Sequence, residues 1–151
     1  MNAVRPRIVV GIDGSSCSAE ALRWALRMAN STGATVDAVI AWHMPNMYGV
    51  GYLPGDYDPA GDAEKIMTET VDATVGVTRP DGMRLIARQG LPAKVLLDES
   101  EGAQMLVVGS RGHGGFAGLM LGSVSAACAE HARCPALVVH GENDSFPGPT
   151  S

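Results

Sequence analysis

Residues 107–127 read VVGSRGHGGFAGLMLGSVSAA, and this stretch decides the fold. An apolar run, Met105 to Val108, leads directly into glycine, and glycines recur at Gly109, Gly112, Gly114, Gly115, Gly118 and Gly122. Ser123-Val124-Ser125 then opens a run with helical spacing. Strand, glycine-rich loop and helix start form the usual phosphate cradle of an α/β protein. Glycine lets the backbone turn with positive φ and approach a ligand closely. A helix N-terminus offers unpaired N–H groups and positive dipole density to an anion. Six glycines in fourteen residues would be an entropically expensive way to make a plain turn.

The P-loop pattern G-x-x-x-x-G-K-[ST] fails, because Ser123 follows Gly122 directly and the only lysines are Lys65 and Lys94. The dinucleotide pattern fits loosely at Gly112, Gly114 and Ala117. It falls late in the chain, with no acidic residue ending a following strand.

Outward from this stretch, strand and helix patterns alternate. IVVGI (Ile8–Ile12) reads as a buried parallel strand, closed by Asp13-Gly14-Ser15-Ser16. Ser18 to Asn30 repeats Leu22, Ala25, Leu26 and Ala29 at helical spacing, with Arg23 and Arg27 off that face and Gly33 as the stop. TVDAVIAW (Thr35–Trp42) is the second strand. Met44 to Gly61, with its prolines and glycines, reads as a long mobile loop, of the kind that is functional or disordered. A helix follows from Pro59 to about Val75, then a third strand at Met83–Ala87 and a short helix at Ala93–Ser100. Met105–Val108 is the fourth strand. The fourth helix spans Ser123–Ala132, with Val124, Ala127, Cys128 and His131 on one stripe, and Ala136–His140 is the fifth strand. Residues 141–151 read as a disordered tail, leaving 1–140 as one domain. The alternation predicts βαβ units and a parallel, doubly wound sheet with helices on both faces.

The net charge of −5 argues against non-specific nucleic-acid binding, so a phosphate site here must rely on local amides and dipoles. No apolar run approaches the 18 residues of a membrane span, and the N-terminus lacks the apolar core of a signal peptide. Three cysteines, Cys17, Cys128 and Cys134, without a C-x-x-C, read as reduced thiols in a cytoplasmic protein and as small buried hydrophobes, with Cys17 near Asp13 open to solvent as one alternative.

The spacing Gly109-x2-Gly112-x9-Gly122-Ser123 resembles the ATP-binding branch of the universal stress protein family. The likeness extends over residues 7 to 140, through VVGIDGS, ALRWALRMA, the strand ending AWHMP, and CPALVVH. It implies a five-stranded sheet of order 3-2-1-4-5, like the adenine-nucleotide alpha-hydrolases, and a homodimer. It also implies ATP as ligand, with Mg or Mn accompanying the nucleotide. In that order the first and fourth strands are neighbours, and the sheet reverses between them, where open α/β sheets bind ligands. Gly11, Asp13, Ala41, Trp42, Gly109, Arg111, Gly112, Gly122, Ser123, Val124 and Ser125 are then the candidate nucleotide contacts.

Most of these carry two readings. Asp13 accepts ribose hydroxyls or holds a divalent cation, or it is a residue favoured by a helix dipole. Trp42 meets adenine, or covers the core. Gly122, Ser123, Val124 and Ser125 donate amides and hydroxyls to phosphates, or form an ordinary capped turn. Arg111 and His113 balance phosphate charge or face solvent. His43, His131 and His140 read as structural or surface residues.

No nucleophile elbow, no zinc-binding H-E-x-x-H and no lysine near the glycine loop supply catalysis. The expected role is a nucleotide-linked binding module. A slow ATPase or nucleotidyl-transfer enzyme on the same fold, or an interaction module with an empty site, are the alternatives. The last strand, 136–140, is apolar, β-branched and without proline or formal charge, so it is expected at a sheet edge where a second copy pairs with it.

Overall fold

The computed structural model describes residues 5–43, 58–76, 78–111 and 122–141. Its elements are β1 (Arg7–Gly11), α1 (Ser16–Thr32), β2 (Thr35–Trp42), α2 (Pro59–Val75), β3 (Arg84–Gln89), α3 (Pro92–Glu99), β4 (Met105–Gly109), α4 (Ser123–His131) and β5 (Ala136–Val139). All four strand pairings are parallel, in the order β3-β2-β1-β4-β5 expected from the family likeness. β5 is therefore an edge strand.

The central strands read as unbroken apolar runs because helices cover both faces of the sheet. Side chains alternate across β1. Ile8 and Val10 join Leu22 and Ala25 of α1 and Met67 and Val71 of α2 in one core. Val9 points the other way, into a core with Val95 and Leu96 of α3 and Cys128 of α4. The buried stripe of α1 is mostly small, with Cys17, Ser18, Ala21, Ala25 and Ala29 beside Leu22, which lets that helix lie close to the sheet.

Local capping chemistry sets the helix ends. α1 begins at Ser16, a half-turn earlier than its apolar periodicity predicts, because Ser15 caps it by accepting the Ser18 N–H at 3.1 Å. It ends at Gly33, whose φ of 77° closes the last turn. Asp58 caps α2, accepting from the Gly61 N–H at 3.0 Å, with Pro59 in the first turn. The breaker-rich stretch expected as a loop to Gly61 thus ends in helix, while residues 44–57 lie outside the described residues. β3 starts at Arg84 and runs to Gln89, two residues beyond its apolar pattern, because it pairs with β2 as far as Trp42. On α4 the expected stripe is corrected: His131 is exposed, and the buried positions are Ser125 and Cys128.

One feature had no sequence signal. Asp37, in the middle of apolar β2, is only 1% exposed. Its carboxylate accepts from Arg84 Nε at 3.0 Å and Nη2 at 2.6 Å, and Arg7 Nη1 lies 3.5 Å away. The bidentate contact holds the Arg84 guanidinium above its ordinary pKa. Arg7 also donates to the Glu99 and Glu101 carbonyls, at 2.8 Å and 2.5 Å. This network ties β1, β2, β3 and the end of α3 together at the N-terminal ends of the strands, opposite the crevice described next.

Candidate functional site

β1 and β4 are neighbours, yet β1 continues through α1 to β2 on one side while β4 continues through α4 to β5 on the other. The two chain segments leaving them diverge and open a crevice beyond their C-terminal ends. The first segment is Ile12-Asp13-Gly14-Ser15. The second leaves through Ser110 and Arg111 and returns at Gly122. Gly112 and residues 113–121 lie outside the described residues, as do 142–151 of the expected tail.

The first segment is held by its own side chains. Asp13 Oδ1 accepts from the Ser15 N–H at 2.9 Å and from the Ser15 hydroxyl. The Asp13 N–H donates to Ser18 Oγ at 3.3 Å, and Ser18 Oγ donates to the Ser15 carbonyl at 3.0 Å. This is an Asx turn feeding a Ser cap. Gly14 sits at φ +84°, a conformation that favours glycine. Asp13 is exposed at the crevice mouth.

Two candidate glycines have a packing reason. A Cβ on Gly109 would lie 2.6 Å from Cys17 Cβ and 2.8 Å from the Cys17 carbonyl carbon. Glycine is what lets α1 approach β4. A Cβ on Gly11 would lie 2.9 Å from Leu96 Cδ1 on the other face. Both therefore shape the floor of the crevice through packing. Cys17 is 3% exposed, so of its two readings the small buried hydrophobe holds and the solvent-open alternative does not. Cys128 is also buried, and burial pushes its thiol up to about 11.

The second segment differs. Gly122 has φ −64°, so positive φ is not the reason for glycine there. Its N–H donates to the Ser110 carbonyl at 2.7 Å. The Ser125 hydroxyl donates to the same carbonyl at 2.8 Å and is 3.0 Å from the Gly122 carbonyl. Ser125 is 2% exposed. The Gly122 amide and Ser125 hydroxyl, both expected as phosphate donors, are thus engaged within the protein. Gly122 at the cap position has no side chain to cap α4, so among the described residues the first amides of the helix, at Ser123, Val124 and Ser125, carry no side-chain cap hydrogen bond. Ser123 is exposed, and Arg111 is half-buried at the neck of the loop.

At the end of β2, Trp42 is half-buried and packs on the α1/α2 core. Its carbonyl accepts from the Gly90 N–H at 2.8 Å, toward β3. Backbone polar groups of successive residues on a strand point to opposite neighbours. The Val39 carbonyl accepts from Ile12, on the β1 side, at 2.8 Å. Ala41, two residues on, therefore turns its N–H and C=O to that side, beyond the point where β1 has ended. The crevice wall presents the backbone of Ala41 rather than of Trp42.

Among the described residues no three His, Cys, Asp or Glu side chains cluster as a metal site, and no helix is long and apolar enough to cross a membrane.

Comparison with known proteins agrees with this architecture. The sequence matches the universal stress protein family over residues 5–140. A universal stress protein of Mycobacterium tuberculosis is 35% identical over 139 residues, covering 87% of this chain and 44% of that relative. One from Mycolicibacterium smegmatis is 32% identical, covering 91% of this chain and 49% of its own. The chain spans about half the length of these curated relatives. Among solved structures, UspA from Lactobacillus plantarum superposes with a TM-score of 0.70 at 19% identity, covering 91% of this chain and 99% of that one. A universal stress protein in complex with cAMP gives 0.69 at 25%, covering 93% and 100%. An Arabidopsis thaliana member with AMP bound gives 0.60 at 20%, covering 95% and 97%. With strand order, reversal point and sequence match all in agreement, the chain belongs to the universal stress protein family.

Proposed function

We propose that the crevice between β1 and β4 binds an adenine nucleotide, ATP first among them, and that the protein is a nucleotide-linked regulatory module of the stress response. The observation that carries this is the N-terminus of α4, set at the sheet reversal without a side-chain cap. The amides of Ser123, Val124 and Ser125, with the exposed Ser123 hydroxyl, suit phosphate oxygens. Arg111 adds positive charge beside them, and Gly112 belongs to the same loop in sequence. The Ala41 backbone, one donor and one acceptor, suits the edge of adenine. The cAMP- and AMP-bound neighbours support a ligand of this class.

Asp13 is the one acidic candidate. A single carboxylate does not make a metal site by itself, so Mg or Mn would arrive with the nucleotide and be held mainly by phosphate oxygens. Hydrolysis is slow or incidental in this reading, and a second copy pairs along β5. The three free cysteines, Cys17, Cys128 and Cys134, suit a reducing cytoplasm.

Calorimetry with ATP, AMP, cAMP and adenosine, each with and without magnesium, tests the proposal. Binding of at least one nucleotide more tightly than adenosine is expected. Asp13→Ala should weaken ATP, and a loss confined to the magnesium experiments would assign Asp13 to the cation. No binding of any nucleotide would sink the reading. Sustained ATP turnover at ~1 s⁻¹ or faster, ordinary for an enzyme, would replace it with the enzymatic alternative. Sedimentation equilibrium should give twice the 15.7 kDa of one chain.

A further inference from the structure

We infer that Ser125 is a positioning residue: its hydroxyl staples the neck of the glycine loop so that the α4 amides are aimed into the crevice. This rests on the nucleotide reading above and assigns Ser125 a part different from that of a phosphate ligand. The Ser110 carbonyl receives two donors, the Gly122 N–H at 2.7 Å and the Ser125 hydroxyl at 2.8 Å. A carbonyl oxygen has two lone pairs, and both are used. Ser110 is anchored on its other side, its N–H donating to the Val139 carbonyl of β5 at 2.7 Å. A continuous chain of hydrogen bonds therefore runs from β5 through Ser110 to both Gly122 and the third residue of α4. It closes the neck across the 12 positions that separate residues 110 and 122.

The chemistry of the hydroxyl excludes the direct role. Serine has one O–H proton, shared here between the Ser110 carbonyl and the Gly122 carbonyl at 3.0 Å. With Ser125 only 2% exposed, that proton is committed inside the protein and is not available to an anion. Among the described residues α4 also lacks the side-chain cap that would otherwise fix its first turn. A side-chain cap would occupy the amides that a phosphate needs. Holding the turn from behind, through Ser125 and Ser110, orients the turn and leaves those amides open.

The test combines amide exchange by NMR with calorimetry on wild type, Ser125→Ala and Ser125→Thr. Ser125→Ala should speed exchange of the Gly122 N–H at least tenfold while Leu106 and Val107 of β4 keep their protection. ATP affinity should fall about tenfold with adenosine within twofold of wild type, because only phosphate grip depends on the aim of the amides. Ser125→Thr, which keeps the hydroxyl, should restore both. Ser125→Cys, of similar volume and a much weaker donor, gives the same comparison if the alanine variant fails to fold. Unchanged Gly122 exchange in Ser125→Ala overturns the staple. Faster exchange with unchanged ATP affinity overturns the positioning role, as does an equal loss of ATP and adenosine. Lost ATP affinity with unchanged exchange would make Ser125 a direct ligand instead. Wild-type protein that binds neither ligand removes the nucleotide reading itself, while Gly122 exchange still decides the staple.

Discussion

The N-termini of α1 and α4 both face the crevice at the sheet reversal, and they are built in opposite ways. α1 satisfies itself. Ser15 caps it, the Asp13 carboxylate holds Ser15, and the Ser18 hydroxyl oxygen accepts from the Asp13 N–H. α4 has glycine at the cap position and no side-chain cap, and is held from behind by Ser125 and Gly122 on the Ser110 carbonyl. Identical dipoles at two helix ends thus yield one closed end and one open end. What makes an anion site is which amides the neighbouring side chains leave unused.

The contrast can be broken most severely where the two ends meet. Gly109→Ala would put its Cβ 2.6 Å from Cys17 Cβ and 2.8 Å from backbone, so α1 must move off β4. A stability loss of about 3 kcal/mol is expected, the upper range for overpacking. A urea midpoint that hardly shifts would show that the helices do not depend on this approach.

Gly122→Asp should turn the open end into a closed one. The φ of −64° and ψ of 162° suit a capping residue, so the new carboxylate can accept from the first-turn amides. ATP affinity should fall tenfold or more, about 1.4 kcal/mol, while thermal stability holds or rises. Undiminished ATP binding in this variant would mean that the α4 amides are not the phosphate donors.

Ser15→Ala makes the reverse change at α1. Loss of the cap should lower stability by about 1 kcal/mol and leave ATP within twofold of wild type. A large loss of ATP affinity in a stable variant would show that the α1 end contacts the ligand after all.

The smallest effect concerns the thiols buried under the two helices. Cys128, pushed up to about 11 from an ordinary 9.0, stays neutral in the folded state while an unfolded chain begins to ionise. Its contribution to stability is therefore complete below pH 9 and is lost as pH rises from about 9 to about 11. At pH 8 a thiol reagent should label the half-buried Cys134 first and leave Cys128 silent until unfolding. Prompt labelling of Cys128 would contradict its burial under α4.

Much of this molecule was legible in its residue order. The β-branched runs at 8–12 and 105–108 mark central strands because a sheet covered on both faces demands continuous apolar side chains. The alanine-leucine stripe of α1 follows from helical period alone. The glycine spacing from Gly109 to Ser123 pointed to the crevice, and its family likeness to the strand order, before any side chain was placed. The starts of α2 and α4, at Pro59 and Ser123, were read correctly, while that of α1 was off by about a half-turn, since Ser15 acts as a cap only once its oxygen finds the Ser18 amide.

Pattern and composition determined the α/β class, the strand and helix succession and the end of the sheet where the candidate site lies. Those properties come from neighbours within a turn or a pleat, where period and propensity act. Tertiary structure decided the rest. It spent the Gly122 amide and Ser125 hydroxyl on Ser110, made Gly11 and Gly109 packing glycines, turned Ala41 rather than Trp42 to the crevice, and paired Asp37 with Arg84 across 47 positions. Local sequence cannot reveal such partners, because a donor seeks the acceptor that topology brings near it, and topology is set by the packing of the whole sheet.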